Sequence, residues 1–482
     1  MSDRTAVGAV TIDRLAVDVP TLAEAADLIR RGALSPVDLT EACLGRIQKY
    51  DGMVNAFHNV MSSEARSAAA RATEEIAQGR YRGPLHGIPI GLKDVFYMQG
   101  HKTTSNSRLM LDFEAQEDAT VVRRLKDAGA VLIGQLNTYE FTFAGRPCFD
   151  APFPPARNPW ALHRSTGGSS SGSAAAIAAG FCLGALGTDA GGSIRTPAAL
   201  NGVAGLKPTL GRVSAQGDMP LTFSLDCVGP MAQNSRDCAL MLQVIAGYDE
   251  KDPMSADEPV EDYCSALDDG VKGLKVGMIR RFYTRDFSSP PQIVAAVDGI
   301  GETLANLGAE VGEITLSPLM DWHAVGRIML PAEAYAIHEE RLQTRANDYG
   351  RLTRNRLMLG AMIRAVDYIQ AQRRRAELLA ELEAALEIYD VVVTAGMLVP
   401  AAPLDDKEPF PYLDVPMIAV PFSLTGHPAH GVRAGFFADG MPIGAQIAGR
   451  NWDEATVLRV AHAFEAAAGL LDRKPDLDSQ RI

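Results

Sequence analysis

Residues 167–195 read GGSSSGSAAAIAAGFCLGALGTDAGGSIR. Four serines crowd between Ser169 and Ser173, an alanine-rich segment follows, and Ser193 stands alone in a second glycine-rich turn. Gly and Ser populate loops generally, so one such turn carries no message. Two of them, separated by a short apolar segment, set two hydroxyl groups on different passes of the chain. The second turn, TDAGGSIR, also offers consecutive peptide N–H groups beside Ser193, unobstructed by side chains at Gly191 and Gly192, so a developing oxyanion could be bound there. Losing one such donor typically costs about 3 kcal/mol of transition-state stabilisation.

A serine hydroxyl is a weak nucleophile until a neighbour takes its proton. Upstream, GIPIGLKDVF (residues 87–96) reads as a buried strand, irregular at Pro89, that delivers Lys93 into apolar surroundings. At its ordinary pKa only about 0.1% of a lysine is neutral near pH 7.4. Desolvation by Ile88, Ile90, Leu92 and Val95 would depress that pKa, and a shift of roughly 3 units corresponds to about 4 kcal/mol of disfavoured charge. A neutral amine is a competent base, and through one further hydroxyl it can act on a second by relay. The plainer reading, in which Lys93 snorkels its ammonium to water from a strand end, is the alternative at this point.

Outward from these segments the chain alternates helix and strand. LSPVDLTEACLGRIQKY predicts a helix with Ser35 as N-cap and Pro36 at its first position. SSEARSAAARATEEIAQG predicts another, ended by Gly79; ATVVRRLKDAGAVLIGQLN reads as helix, glycine, strand. GLKVGMI and YDVVVTA are further buried-strand candidates, ATVLRVAHAFEAAAG is a last helix, and the acidic stretch between Asp249 and Asp269 reads as a surface excursion. This grammar is that of an α/β fold: a mixed multi-stranded sheet covered by helices on both faces. A length of 482 residues allows either about three domains or one large unit.

The net charge of −13 and the absence of any run of five Lys/Arg argue against a nucleic-acid or anionic-membrane surface. No apolar stretch is long enough to be a signal or a membrane span, so a soluble, cytoplasmic protein is expected. Cys43, Cys148, Cys182, Cys227, Cys238 and Cys264 lack CxxC spacing, which indicates free thiols rather than disulfides or a zinc site.

The run GGSSSGSAAAIAAGFCLGALGTDAGGSIRTPAALNGVAGLKPT, residues 167–209, resembles the signature of the amidase signature family of serine hydrolases. Supporting similarity runs through PLHGIPIGLKDVF, RNPW, GRVSAQG, SLDCVGPMAQNSRDCALMLQVIAG and DGMPIGAQIAGRNWDEATVLRVAHAFE. The resemblance implies one compact domain over residues 1–482. Its helical N-terminal segment is expected at about 1–75, its signature core at about 80–245 and its C-terminal substrate-pocket part at about 270–482. It implies Ser193 as nucleophile, Ser169 as proton relay across a cis Gly168–Ser169 peptide, and Lys93 as neutral base and then acid. The backbone N–H groups of Ala190, Gly191, Gly192 and Ser193 become the oxyanion hole, with Asp189 and Arg195 bracing the turn.

No metal or organic cofactor is required on this reading, and activity should rise from acid toward mildly alkaline pH as Lys93 loses its proton. The expected enzyme is a stand-alone amidase cleaving small, hydrophobic amides, with carbamates (urethanes) and aryl esters as further substrates and homodimerisation as the family's suggestion. The stretch after Asn137, the SLDCVGP segment holding Cys227, and TAGMLVPAAP at 394–403 depart from common patterns and are expected to shape the acyl and leaving-group pockets. The alternative is the glutaminase subunit of a tRNA-dependent amidotransferase, favoured by NRLMLGA at 355–361. It is placed second because Asp414 lies two residues before the position where a glutamine-binding aspartate would stand.

Other readings are weaker. GSSSG fits a GxSxG elbow centred on Ser170, but that elbow needs a buried strand before it, and RNPWALHRST reads as polar loop. His427 and His430 in GHPAH lack a third metal ligand and read as structural residues in a loop. No SxxK motif occurs, and a catalytically dead binding protein is disfavoured because all three reacting side chains are present.

Overall fold

The computed structural model describes residues 19–405 and 415–481. Its strands, in chain order, are β1 (Phe57–Val60), β2 (Pro89–Lys93), β3 (Val131–Leu136), β4 (Arg157–Asn158), β5 (Ala161–Ser165), β6 (Gly184–Asp189), β7 (Ala204–Lys207), β8 (Cys227–Ala232), β9 (Lys275–Met278), β10 (Glu310–Glu313), β11 (Val391–Ala395), β12 (Ala429–Phe436) and β13 (Pro442–Gly449). Eleven of them form one mixed sheet in the order β1-β3-β2-β6-β8-β7-β12-β13-β11-β9-β10, flanked by helices. The alternation read from the sequence is therefore the architecture found. The first part of the expected N-terminal helical segment, residues 1–18, lies outside the described residues.

Burial explains why the central strands read as unbroken apolar runs rather than alternating ones. β2 (PIGLK), β3 (VLIGQL), β6 (GALGTD) and β11 (VVVTA) are buried at every position, as strands covered on both faces must be. β2 runs parallel to both β3 and β6, and its pairing with β3 shifts register between Ile90 and Gly91. A Cβ at Gly91 would lie 2.5 Å from Leu136 Cδ1, so a larger residue here would force that buried leucine side chain to move.

The helix Pro36–Val54 starts as expected: Ser35 accepts the Asp38 N–H at 3.0 Å and Pro36 takes the first position. Helices Ser62–Ala77, Thr120–Asp127 and Glu454–Ala468 also fall where the periodicity put them.

Two local readings need correction. RNPWALHRST is not loop: it folds into the separate β4–β5 ribbon, with Asn158 donating to the carbonyls of Ser165 and Leu200. His430 is not in a loop but within β12, between β7 and β13, because small residues let GHPAHGVRAG pack as a buried strand. The acidic stretch 249–269 is a surface excursion as expected, without helix or strand and mostly exposed, anchored to the core by buried Tyr263 and Leu267.

Candidate active site

The parallel pairing of β2 with β6 brings Lys93, at the end of one strand, and Thr188, near the end of the other, to the same end of the sheet. The Lys93 side chain is 0% exposed, which excludes the snorkelling alternative. Its Nζ donates to Ser169 Oγ at 2.8 Å and to Thr188 Oγ1 at 2.7 Å. Burial disfavours the ammonium and pushes the lysine down to about 7, although the carboxylates of Asp226, Asp189 and Asp218 pull the other way. An amine with that affinity for a proton is half neutral at physiological pH.

Ser169 is buried at the head of the segment leading into helix Ser171–Ala178, and the Gly168–Ser169 peptide is cis. Its carbonyl accepts from the Tyr139 N–H at 3.2 Å and from Thr138 Oγ1 at 3.1 Å. Ser193 follows Gly192, whose φ of 118° no side chain would tolerate without strain. The Ser170 N–H donates to the Ser193 carbonyl at 3.2 Å, so the two turns are fastened to each other. Ser169 and Ser193 line one cavity of about 170 Å³.

Asp189 and Arg195 form the brace beneath the second turn. Arg195, 1% exposed, donates from Nε and Nη2 to the two carboxylate oxygens of Asp189 at 3.0 and 2.9 Å, and from Nη1 to Ala419 O and Gln446 Oε1. Burial would raise the Asp189 carboxyl, but the Arg195 guanidinium holds it down at about 2. Asp189 also accepts the N–H groups of Gly192 at 2.7 Å and Ile194 at 3.1 Å. This changes the expected oxyanion set: the Gly192 N–H is engaged by a carboxylate. None of the hydrogen bonds among the described residues uses the N–H groups of Ala190, Gly191 or Ser193.

Two side chains here were not singled out from the sequence. Thr188 holds Lys93 from the side opposite Ser169, and only the strand register reveals it. Arg356, from helix Arg351–Gly360, is the one charged residue among the described residues lining the Ser193 cavity. Its Nη1 donates to Phe143 O at 2.9 Å and its guanidinium lies over the Phe143 ring at 4.3 Å. The signal for it was present in NRLMLGA, whose arginine could have been marked as a ligand group.

A second cavity, of about 320 Å³, shares Gly168, Gly191 and Met417 with the first and is walled by Leu398, Val399 and Ile418. TAGMLVPAAP thus does wall a pocket. Cys227 does not: it lies buried in β8, with Lys207 Nζ 3.8 Å from its sulfur.

His427 and His430 are buried, and burial pushes them down to about 4 and about 3. His430 Nε2 lies 3.0 Å from Ser235 Oγ, and neither ring lines the Ser193 cavity. His427→Gln and His430→Gln are each expected to retain turnover while losing about 1–3 kcal/mol of stability, read by assaying and melting the same preparations. Among the described residues no group of three or more potential metal ligands occurs, and no helix is long and apolar enough to cross a membrane.

Comparison with known proteins bears on this geometry. The Amidase family model matches residues 38–458. A glutamyl-tRNA(Gln) amidotransferase subunit from Roseiflexus sp. (strain RS-1) is 40% identical over 483 residues, covering 95% of this chain and 98% of that protein. The crystal structure of the corresponding glutamyl-tRNA(Gln) amidotransferase subunit from Thermotoga maritima superposes with a TM-score of 0.78 at 32% identity, covering 93% and 94% of the two chains. A structure described as part of a vestigial protein complex, tied to the origins of an s-triazine catabolic enzyme, superposes with a TM-score of 0.86 at 31% identity over 93% and 98%.

These findings overturn the expectation of a stand-alone amidase whose partners are a small molecule and a second copy of itself. Relatives about 40% identical over nearly the whole chain are named as subunits of an amidotransferase, the reading placed second. That ranking rested on one missing carboxylate, and Asp414 lies outside the described residues. Such extended identity outweighs a single position. By its family match and by the amidases and amidotransferase subunits it resembles, the chain belongs to the amidase signature family and is a hydrolase of C–N bonds.

Proposed function

We propose that the chain is the amide-hydrolysing subunit of an amidotransferase-type assembly and that glutamine is its amide donor. The observation that carries the chemistry is the 2.8 Å contact between a buried, proton-poor Lys93 and Ser169, in reach of the cavity that holds Ser193. Ser193 Oγ attacks the side-chain amide carbon while its proton passes to Ser169 and from Ser169 to Lys93. The tetrahedral oxyanion is received by the N–H groups of Ala190, Gly191 and Ser193. The C–N bond then breaks as the proton returns through Ser169 to the leaving nitrogen. Ammonia departs, and water hydrolyses the acyl-enzyme by the same relay. Asp189 and Arg195 keep the turn in place without touching substrate.

Arg356 gives the reading its substrate. A guanidinium lining the cavity of the nucleophile suits an amide that also carries a carboxylate, as glutamine does. On this reading residues of about 80–245 supply the reacting groups, the part from about 270 supplies the pocket walls, and the whole acts as one domain. Six free cysteines suit a reducing compartment, the cytoplasm.

Ammonia release from glutamine by the full chain, beside a neutral amide of similar size, tests the proposal. Arg356→Gln is expected to raise KM for glutamine about 10- to 100-fold, the loss of one charge-assisted contact, while leaving the neutral amide's KM unchanged. Equal effects on both substrates would remove Arg356 from recognition, and absence of glutamine turnover by the wild type, alone or in its complex, would remove glutamine.

A further inference from the structure

One wall of the cavity that holds Ser193 is built on a costly backbone. Phe141 and Thr142 have φ of 46° and 57°, and Ser105 and Asn106, on the neighbouring loop, have 47° and 50°. These are four of the six non-glycine residues in left-handed backbone among the described residues, and a β-branched residue such as threonine is an outlier there. Such conformations persist only where the surroundings over-determine them, and they gather at functional sites. Here the fastenings are specific. The Phe141 N–H donates to Ser105 O at 3.0 Å, and Asn106 Nδ2 donates to Thr138 O at 3.0 Å. Buried Glu140 accepts from Ser107 Oγ at 2.8 Å and from the Gly350 N–H at 2.9 Å.

The turn sends successive side chains to different places. Phe141 enters the core, its ring 4.5 Å from that of His338 and 5.5 Å from that of Tyr349. Thr142 and Phe143 line the cavity of the nucleophile. The Thr142 hydroxyl makes no hydrogen bond among the described residues, yet it is not sealed in protein as the unpartnered hydroxyl of Ser105 is. The next residue along the wall holds Arg356, through the Phe143 carbonyl. A guanidinium and an uncommitted hydroxyl therefore reach one cavity from either side of Phe143.

Glutamine carries its carboxylate and its ammonium on the same carbon. A guanidinium has donors and no acceptor, so it can hold only the carboxylate, and the ammonium needs an oxygen with a free lone pair. The Phe143 carbonyl is already engaged by Arg356, whereas both lone pairs of Thr142 Oγ1 are open. We propose that Thr142 is a recognition residue whose hydroxyl accepts a hydrogen bond from the α-ammonium of the amide donor while Arg356 takes the α-carboxylate. The inference rests on the glutamine reading and adds to it the group that distinguishes an amino acid from a plain amide of a dicarboxylic acid.

The test compares glutamine with its desamino analogue, the monoamide of glutaric acid, on the full chain in whichever state, alone or in its complex, hydrolyses amides. Thr142→Val keeps the branched shape and removes the oxygen. It is expected to raise the ratio of KM for glutamine to KM for the analogue about 10-fold at unchanged kcat, the loss of one hydrogen bond to a charged group. Thr142→Ser restores the hydroxyl and should return the ratio to within about threefold of wild type. A ratio unchanged by valine, whether neither KM moves or both rise together, or a ratio that serine fails to restore, would overturn the proposal while leaving glutamine as the donor. A wild type that hydrolyses the analogue but not glutamine would instead retire the donor, and the ammonium contact with it.

Discussion

Ser193→Ala is expected to lower kcat for amide hydrolysis by about five to six orders of magnitude, the effect of removing a nucleophile that works as a unit with its relay and base. KM should hold, because the hydroxyl is asked to make a bond in the reaction rather than to recognise substrate. The fold should hold as well: Ser193 Oγ makes no hydrogen bond among the described residues, and the turn is kept by its backbone and by the Asp189–Arg195 pair. Intact-protein mass spectrometry gives the complementary reading. Wild type mixed with an activated ester should gain one acyl mass, and the variant should gain none. Turnover by the variant within tenfold of wild type would mean that another group attacks.

The second large effect comes from Lys93→Met, which keeps the apolar stem and removes the amine. Turnover should fall about 10⁴-fold, the upper range for a general base, since Ser169 alone has nowhere to send its proton. Stability should move the other way. The native lysine titrates near 7 and the unfolded one near 10.5. Below pH 7 both states hold the proton and the fold bears the full cost of a buried ammonium. Between 7 and 10.5 only the unfolded chain holds it, so the wild type gains stability as the pH rises through this window and the penalty fades toward 10.5. The full cost is about 5 kcal/mol, partly offset in the variant by stranded hydroxyls of Ser169 and Thr188. Lys93→Met should therefore be about 1–3 kcal/mol more stable than wild type at pH 6, with a smaller margin at pH 9, read by denaturant melts. A variant less stable at both pH values would mean that the amine holds the fold together rather than straining it.

The features legible in the sequence share a cause: each is dictated locally. Ser35–Pro36 announces a helix by satisfying its first N–H groups, and β2, β3 and β11 announce themselves as apolar runs because both faces are covered. The cluster of Lys93, Ser169 and Ser193 was accessible because a lysine inside such a run and two glycine-rich turns have few other uses together. What escaped depends on partners distant in sequence. That the Gly192 N–H is taken by Asp189, leaving its neighbours for an oxyanion, follows from the Arg195 brace, which in turn is oriented by Ala419, Ser423 and Gln446. Thr188 emerges only when β2 and β6 are aligned. His430 was misplaced because GHPAH carries turn residues, and burial between β7 and β13 overrides that local preference. Arg356, 163 residues after Ser193, reaches the cavity only because its helix crosses the long helix Leu319–Arg345.

The proposed catalysis depends on Lys93 working as an uncharged amine, and the pH dependence of the acylation rate under single-turnover conditions tests this most directly. Between pH 5 and 9.5 the full chain should show one ascending limb of unit slope with its midpoint near 7, followed by a plateau, and that limb should vanish from the residual activity of Lys93→Met. A rate that is flat across this range would contradict a neutral lysine as the base, and one still rising at pH 9.5 would contradict the lowered proton affinity that burial gives Lys93.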